Sequence, residues 1–342
     1  MKKRKNLLCL LLAVISVMLT ACAVNPDPGP PPEPVKTESV VPNAAGEITW
    51  GGQTFSVDAE TLVLNLQVRS NEILDLSPLS YCTQLRQLSL HVAVIPHIYR
   101  DQMGDRRVME LTPVSLAPLA GLSGLEYLNL NVTQIADLVP LVALSNLRSL
   151  VLWFENEIDL TPLADCESLE DLSLGGRAVI DLSPLNRCAL LSRLRVDIYD
   201  SEWNLPDLST LSGAPSLEVL STGGSNGLKN LTDVPLTRLI DLNDSSDILE
   251  NLPMLDTLTT VEFSDEHLND IQPLLLHPSV TDIVLEVGAQ DIERGTVVTD
   301  PDDPVLDRLV TSIPIAQLRS LLMGGTSITL NVNPNRAGGG VE

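Results

Sequence analysis

The stretch "DLTPLADCESLEDLSLGGRAVI", residues 159–180, decides how this chain is read, because its frame keeps returning. Asp159-Leu160-x-Pro162-Leu163 is followed by Leu169, Leu172 and Leu174, then by Ile180. Pro118, Pro140, Pro162 and Pro184 stand 22 residues apart each time. A fixed period of that length is the mark of a repeat architecture, which leucine abundance alone does not produce. The Leu-x-x-Leu-x-Leu word appears at Leu85/Leu88/Leu90, Leu125/Leu128/Leu130, Leu147/Leu150/Leu152 and Leu169/Leu172/Leu174. Drifted copies follow at Leu191/Leu194/Val196, Leu217/Leu220, Leu236/Leu239, Leu258/Val261/Phe263 and Val280/Ile283/Leu285, and a last one is expected at Leu318/Leu321.

The residues of the frame explain one another. Alternating Leu-x-Leu puts two side chains on one face of a strand and turns the residue between them outward. One such strand cannot bury its leucines; stacked repeats bury them against their neighbours in a continuous ladder. Asp75, Asp137, Asp159, Asp181, Asp207 and Asp270 open the other half of the repeat. An aspartate there accepts N–H bonds at the start of a short helical turn, and a proline just inside that turn loses no needed donor. These aspartates are read as caps and not as general acids. The fold class expected is an α/β repeat: a solenoid with a parallel β-sheet on its concave face and short helical turns on its convex face.

The words "DLSPL" at 75–79 and 181–185, set in the 22-residue period, resemble the internalin-like leucine-rich repeats of bacterial surface proteins over roughly residues 48–290. The resemblance implies a right-handed solenoid that recognises proteins on its concave face. The chain departs from that family at Ala93, Thr133, Glu155 and Arg177, where the family carries an asparagine ladder. Residues 96–114 interrupt the first repeats, and the sequence ends without a sortase-type wall-sorting motif.

The start of the chain reads as an address. Lys2, Lys3, Arg4 and Lys5 precede an apolar run from Leu7 to Leu19, the charge-then-apolar order of a signal peptide. Leu19-Thr20-Ala21-Cys22 resembles the lipobox of bacterial lipoproteins, which implies lipid on Cys22 in place of wall attachment. Residues 1–21 are thus expected to be a lipoprotein signal peptide and residues 22–46 a proline-rich linker. The linker, "AVNPDPGPPPEPVKTESVVPNAA", would hold a domain roughly 60 Å from its anchor at about 3 Å per residue. Residues 47–330 are expected to form the repeat domain with its caps, opening with a hairpin-like entry and a strand at Leu62 to Leu66. Residues 331–342 form a disordered tail on this reading. The expected localisation is extracytoplasmic, at the cell surface or envelope and membrane-anchored through Cys22.

Composition narrows the function. The 342 residues are 44% hydrophobic but only 3% aromatic, so the core is built from Leu, Val and Ile. The net charge of −24 repels phosphates and anionic headgroups, which excludes nucleic acid as a partner class. Cys82, Cys166 and Cys188 lie beyond the address, an odd number that opposes a full disulfide framework. Cys166 and Cys188 hold the same place in neighbouring repeats, within disulfide reach if the strands stack about 4.8 Å apart. Small buried fillers are the other reading of both.

Few motifs suggest chemistry. "GGSNG", residues 223–227, matches the G-x-S-x-G elbow with Ser225 as nucleophile, but its only downstream histidines are His267 and His277. "TDPDDP", residues 299–304, offers Asp300, Asp302 and Asp303 to a calcium ion, without the glycine and glutamate of an EF-hand loop. No catalytic site, metal or cofactor is expected. The outer side of the strands is more informative: Arg86, Gln87, Ser89, Asn129, Val151 and Ser173 should face the concavity. So should Tyr127, Arg148, Trp153, Asp171, Arg193 and Arg195, which include the aromatic and arginine types that dominate interface hot spots. Phe154, Tyr199 and Trp203 are read as covers of longer repeat loops. The function expected is binding of a protein or other macromolecule through the concave face, with an envelope scaffold and a Ser225 hydrolase as the alternatives.

Overall fold

The computed structural model describes residues 47–50, 53–56, 62–70, 75–94, 98–100, 106–108, 113–132, 134–178, 180–198, 205–224, 226–241, 246–264, 270–289 and 292–332. The signal peptide, linker and Cys22 lie outside them, as do Tyr199, Trp203, Ser225 and His267. The repeat unit opens with an antiparallel hairpin, β1 (Glu47–Trp50) with β2 (Gln53–Ser56). Strands β3 (Val63–Ser70) and β4 (Gln87–Val94) begin the main sheet. A separate unit within residues 96–110 contains the antiparallel pair β5 (Ile98–Arg100) and β6 (Arg106–Val108).

The main sheet then continues through β7 (Tyr127–Asn131), β8 (Ser149–Phe154), β9 (Asp171–Gly176) and β10 (Arg193–Ile198). Next come β11 (Val219–Thr222), β12 (Arg238–Asp241), β13 (Thr260–Ser264) and β14 (Asp282–Ala289). At the far end stand β15 (Thr296–Val298), β16 (Leu309–Val310) and β17 (Ser327–Val332). Short helices α1 (Ser246–Glu250) and α2 (Gln272–Leu276) replace the turns of the last repeats, and α3 (Ile315–Met323) precedes β17. Each main-sheet strand from β3 to β14 lies parallel to the next in that sheet, and β17 adds in parallel to β14. Antiparallel β15 and β16 then close the end on β17 and β14. Among the described residues no helix is long and apolar enough to cross a membrane.

Register makes the ladder. Leu88, Leu128, Leu150, Leu172, Leu194, Leu220 and Leu239 are consecutive cross-strand partners, continued by Val261, Ile283 and Ile328. Each is 1% exposed or less, so the core is one thin continuous stack. Burial contributes about 1.5–3 kcal/mol for each leucine of this row. On the other side run 3-10 turns at Ser77–Tyr81, Val139–Ala143, Thr161–Asp165 and Ser183–Arg187, each with proline in its first two positions. All six frame aspartates accept the backbone N–H two residues on, at 2.8–3.0 Å. Five of them stand one residue ahead of the cap, and Asp207 is itself the cap.

Two expectations are corrected. Leu318 and Leu321 do not form another repeat strand; both are buried on α3, where their three-residue spacing fits a helix face. Phe154 does not cover a loop but fills the core at the end of β8, fully buried. Hydrogen bonds on the turn side link successive repeats. The residue just before the first ladder leucine reaches back one repeat: Asn146 donates to Ser123 O at 2.8 Å, Ser168 to Ser145 O at 2.7 Å and Ser216 to Ala189 O at 2.7 Å. Thr257 and Ser279 continue the series to Val234 O and Leu255 O.

Candidate functional site

Because side chains alternate along a strand, each repeat presents every second residue on the outer face of the sheet. Strands β7 and β8 alternate partly exposed with buried residues throughout. Tyr127, Asn129 and Asn131 face outward from β7, and Ser149, Val151 and Trp153 from β8. Asp171, Ser173 and Gly175 follow on β9, then Arg193, Arg195 and Asp197 on β10. Tyr127, Trp153, Asp171, Arg193 and Arg195 are therefore brought to one face on four consecutive strands.

Arg148 is not on that face, contrary to its expected place. It precedes β8, at the entry edge, where backbone bonds join Arg86, Glu126, Arg148 and Glu170 in succession. In Leu-x-x-Leu only the second x lies within the strand; the first stands outside it and escapes the alternation. Arg148 pairs there with Glu170, and Arg86 pairs likewise with Glu126 at 2.7 Å. These guanidinium–carboxylate contacts are solvent-exposed and each is worth at most about 1 kcal/mol.

The face itself is unevenly committed. Arg193 Nε donates to Asp171 Oδ2 at 3.0 Å on the neighbouring strand. Arg195 is exposed and makes no ion pair with the described residues. Trp153 sits against Gly175: a Cβ on that glycine would stand 2.3 Å from Cε3 and 2.7 Å from Cζ3 of the indole. Gly175 is buried although it belongs to the outer face, because the indole covers it. A glycine at this one position makes the seat for the ring. The pair could have been noticed in the sequence, since Trp153 and Gly175 stand one 22-residue period apart.

Farther along the sheet several outer-face residues bind one another. Arg238 of β12 pairs with Glu262 of β13, to which Asn331 of β17 also donates at 3.5 Å. Ser327 donates to Asp282, which also accepts from Thr281 at 2.8 Å.

Ser225 lies outside the described residues, and the neighbours of the remaining candidates are packed or hydrogen-bonded. In the glycine-rich match around Ser225, a Cβ on Gly224 would meet Leu205 at 2.1 Å, and one on Gly227, at φ +73°, would meet Asp207 at 1.9 Å. His277 is buried, with Nε2 2.9 Å from Pro253 O. Asp300 and Asp303 accept the N–H groups of Asp302 and Val305, as turn-forming aspartates do. No group of three potential metal ligands occurs among the described residues.

Cys82, Cys166 and Cys188 are buried and not joined by a disulfide in this structure. Burial first, then the Asp165 charge, pushes the Cys166 thiol up to about 11. Burial, with Cys166 beside it, pushes Cys188 to about 12. The Sγ of Cys188 donates to Leu163 O at 3.3 Å, one repeat back.

Parallel strands in one register, aspartate-opened turns on the far side of six repeats and a leucine ladder between them define a leucine-rich-repeat solenoid. No protein-family model and no curated protein matches the chain. Among solved structures it is similar to an internalin (inlF) from Listeria monocytogenes, at 22% identity over 64% of this chain and 66% of that one, with a TM-score of 0.36. It is also similar to internalin C2 of the same organism, at 23% identity over 53% of this chain and 77% of that one, TM-score 0.29. A third match, at 14% identity, is the functional domain of InlJ from L. monocytogenes, which includes a cysteine ladder; it covers 71% and 78% of the two chains with a TM-score of 0.17.

Proposed function

We propose that this chain is a protein-binding module of the bacterial envelope, anchored by lipid on Cys22 and recognising its partner on the outer face of β7–β10 without catalysis. The observation that carries the reading is Trp153. It lies partly exposed over Gly175 on the outer face, while leucines already fill the ladder beneath it. A large aromatic held at the surface by a purpose-made seat contributes area to recognition rather than to the core. Tyr127, Asp171, Arg193 and Arg195 surround it as further contacts. Arg148 serves at the rim.

The test is affinity capture from envelope and host-surface extracts with the full chain. Trp153→Ala should weaken capture by about 2 kcal/mol or more if it is a hot spot, while Thr260→Ala on β13 captures as well as wild type. Equal capture by Trp153→Ala would remove the proposed surface. Palmitate labelling of wild type beside Cys22→Ser tests the anchor, and equal label in both would refute it. An extracytoplasmic setting permits Cys166 and Cys188 to bridge; non-reducing peptide mapping settles this, and a Cys82-containing bridge would contradict the register.

A further inference from the structure

We infer that the group seated beside Trp153 is a neutral saccharide, carried by the partner and laid across β7–β10; this rests on the reading of that face as the binding surface. Three features of the face point to sugar chemistry.

The first is charge. The protein carries −24 overall, yet on these four strands Asp171 and Asp197 are matched by Arg193 and Arg195. An anionic ligand is repelled by the whole molecule and finds no local surplus of cations to offset this. A cationic one finds no local surplus of carboxylates. A neutral ligand binds without stripping water from a charge of its own.

The second is the supply of unpaired neutral polar groups. Asn129, Asn131, Ser149 and Ser173 are partly exposed on the face, and their side chains make no hydrogen bond with the described residues. Asp197 and Arg195, two residues apart on β10, add an uncommitted acceptor and an uncommitted set of donors. A sugar hydroxyl is both donor and acceptor, so it satisfies amide, hydroxyl, carboxylate and guanidinium alike. Neighbouring strands repeat these groups about every 4.8 Å, which gives a linear oligosaccharide polar partners along its length.

The third is the indole. A pyranose presents one apolar face of C–H groups, whose positive edges sit on the negative face of an aromatic ring. Gly175 lets the Trp153 ring settle onto the sheet instead of standing clear of it. Among the described residues the distal face has no such aromatic, and on it Arg238 and Asn331 are bound to Glu262 and Ser327 to Asp282.

The experiment titrates the detergent-solubilised full chain with chitohexaose, cellohexaose and maltohexaose, read by tryptophan emission and calorimetry. At least one hexasaccharide should bind saturably in the millimolar range or tighter, and equally to wild type and Thr260→Ala. Trp153→Ala should bind it at least ~10-fold more weakly, as loss of a hot spot does. Gly175→Ala, whose Cβ would meet the Trp153 ring and no backbone atom, should weaken it several-fold. Saturable binding by none of the three sugars overturns the inference. So does equal binding by Trp153→Ala. A partner captured in a Trp153-dependent manner, but indifferent to periodate oxidation of its glycans and to excess hexasaccharide, keeps the binding face and rejects the saccharide. Capture indifferent to Trp153 rejects both.

Discussion

Strands β7–β10 and strands β12–β17 share one interior and use their outer faces in opposite ways. Beneath both runs the same register of apolar partners, from Leu128 through Leu172 to Leu239 and Ile328. Above β12–β17 polar residues pair across strands, Arg238 with Glu262 and Ser327 with Asp282. Above β7–β10 Arg193 pairs with Asp171, while Asn129, Asn131, Ser149, Ser173, Arg195 and Asp197 make no side-chain hydrogen bond or ion pair with the described residues. A repeat fold separates the two tasks cleanly: the ladder fixes where every outward position lies, and the outward residues are free to bond together or to wait for a ligand. Self-satisfied polar groups have little left to offer a partner, since a new bond would only replace an existing one.

The sharpest way to break the comparison is to cut both regions at the same depth. Leu172→Ala on β9 and Leu239→Ala on β12 each empty a fully buried ladder position. Each should cost about 2–5 kcal/mol, the range for deleting a buried leucine where the surroundings relax only in part. Trp153→Ala, on the outer face above the first, should cost about 1 kcal/mol or less, as surface substitutions do. Chemical denaturation of the three variants measures this directly. If Trp153→Ala falls in the leucine range, the indole belongs to the core and the two faces do not differ as described.

Much of this was legible in residues 159–180. The spacing of Leu169, Leu172 and Leu174 states the strand, and Asp159 with Pro162 states the turn, because both halves are local rules of backbone geometry and hydrogen bonding. What was not legible depends on neighbours one repeat away. Arg148 reads as a face residue until the strand is seen to begin at Ser149. Phe154 reads as a loop cover until the strand is seen to extend through it into the core. The seat at Gly175 is written 22 residues from the ring that fills it. The turn-side series of Asn146, Ser168, Ser216, Thr257 and Ser279 was equally open to reading, since each precedes the first apolar ladder residue of its repeat. Its members look like ordinary turn residues until their acceptors are known.

That series yields a prediction of intermediate size. Between Ser168 and Ser216 it is interrupted at Leu190, which is 51% exposed just before Leu191. Asn146 and Ser168 each reach 23 residues back; the equivalent acceptor for position 190 is Glu167 O. Leu190→Asn should complete the bond and raise stability by about 1 kcal/mol, the net worth of one intramolecular hydrogen bond, without altering the β7–β10 face. A lower melting temperature would show that Leu190 packs on its neighbours, and that the turn side of these repeats is not equivalent to that of the distal ones.

The smallest expected effect lies in the turn between β8 and β9. Asp159 is fully exposed, and its carboxyl is held below the ordinary 3.8, chiefly by the hydrogen bond from the Thr161 side chain and then by that from the Thr161 backbone N–H. Both bonds favour the charged form. A group lowered on folding contributes stability that is present above its unfolded value and disappears as pH falls through its folded value. Asp159→Asn keeps a side-chain oxygen for the Thr161 N–H but removes the titration. Wild type should therefore melt slightly higher than Asp159→Asn at neutral pH. The gap should stay level down to about pH 4 and close in stronger acid, where the wild-type carboxyl is protonated as well. Melting curves collected from pH 7 to below pH 3 test this. A gap that persists unchanged into acid would mean that aspartate holds this turn by its geometry and not by its charge, and Asn would then differ from it for a packing reason alone.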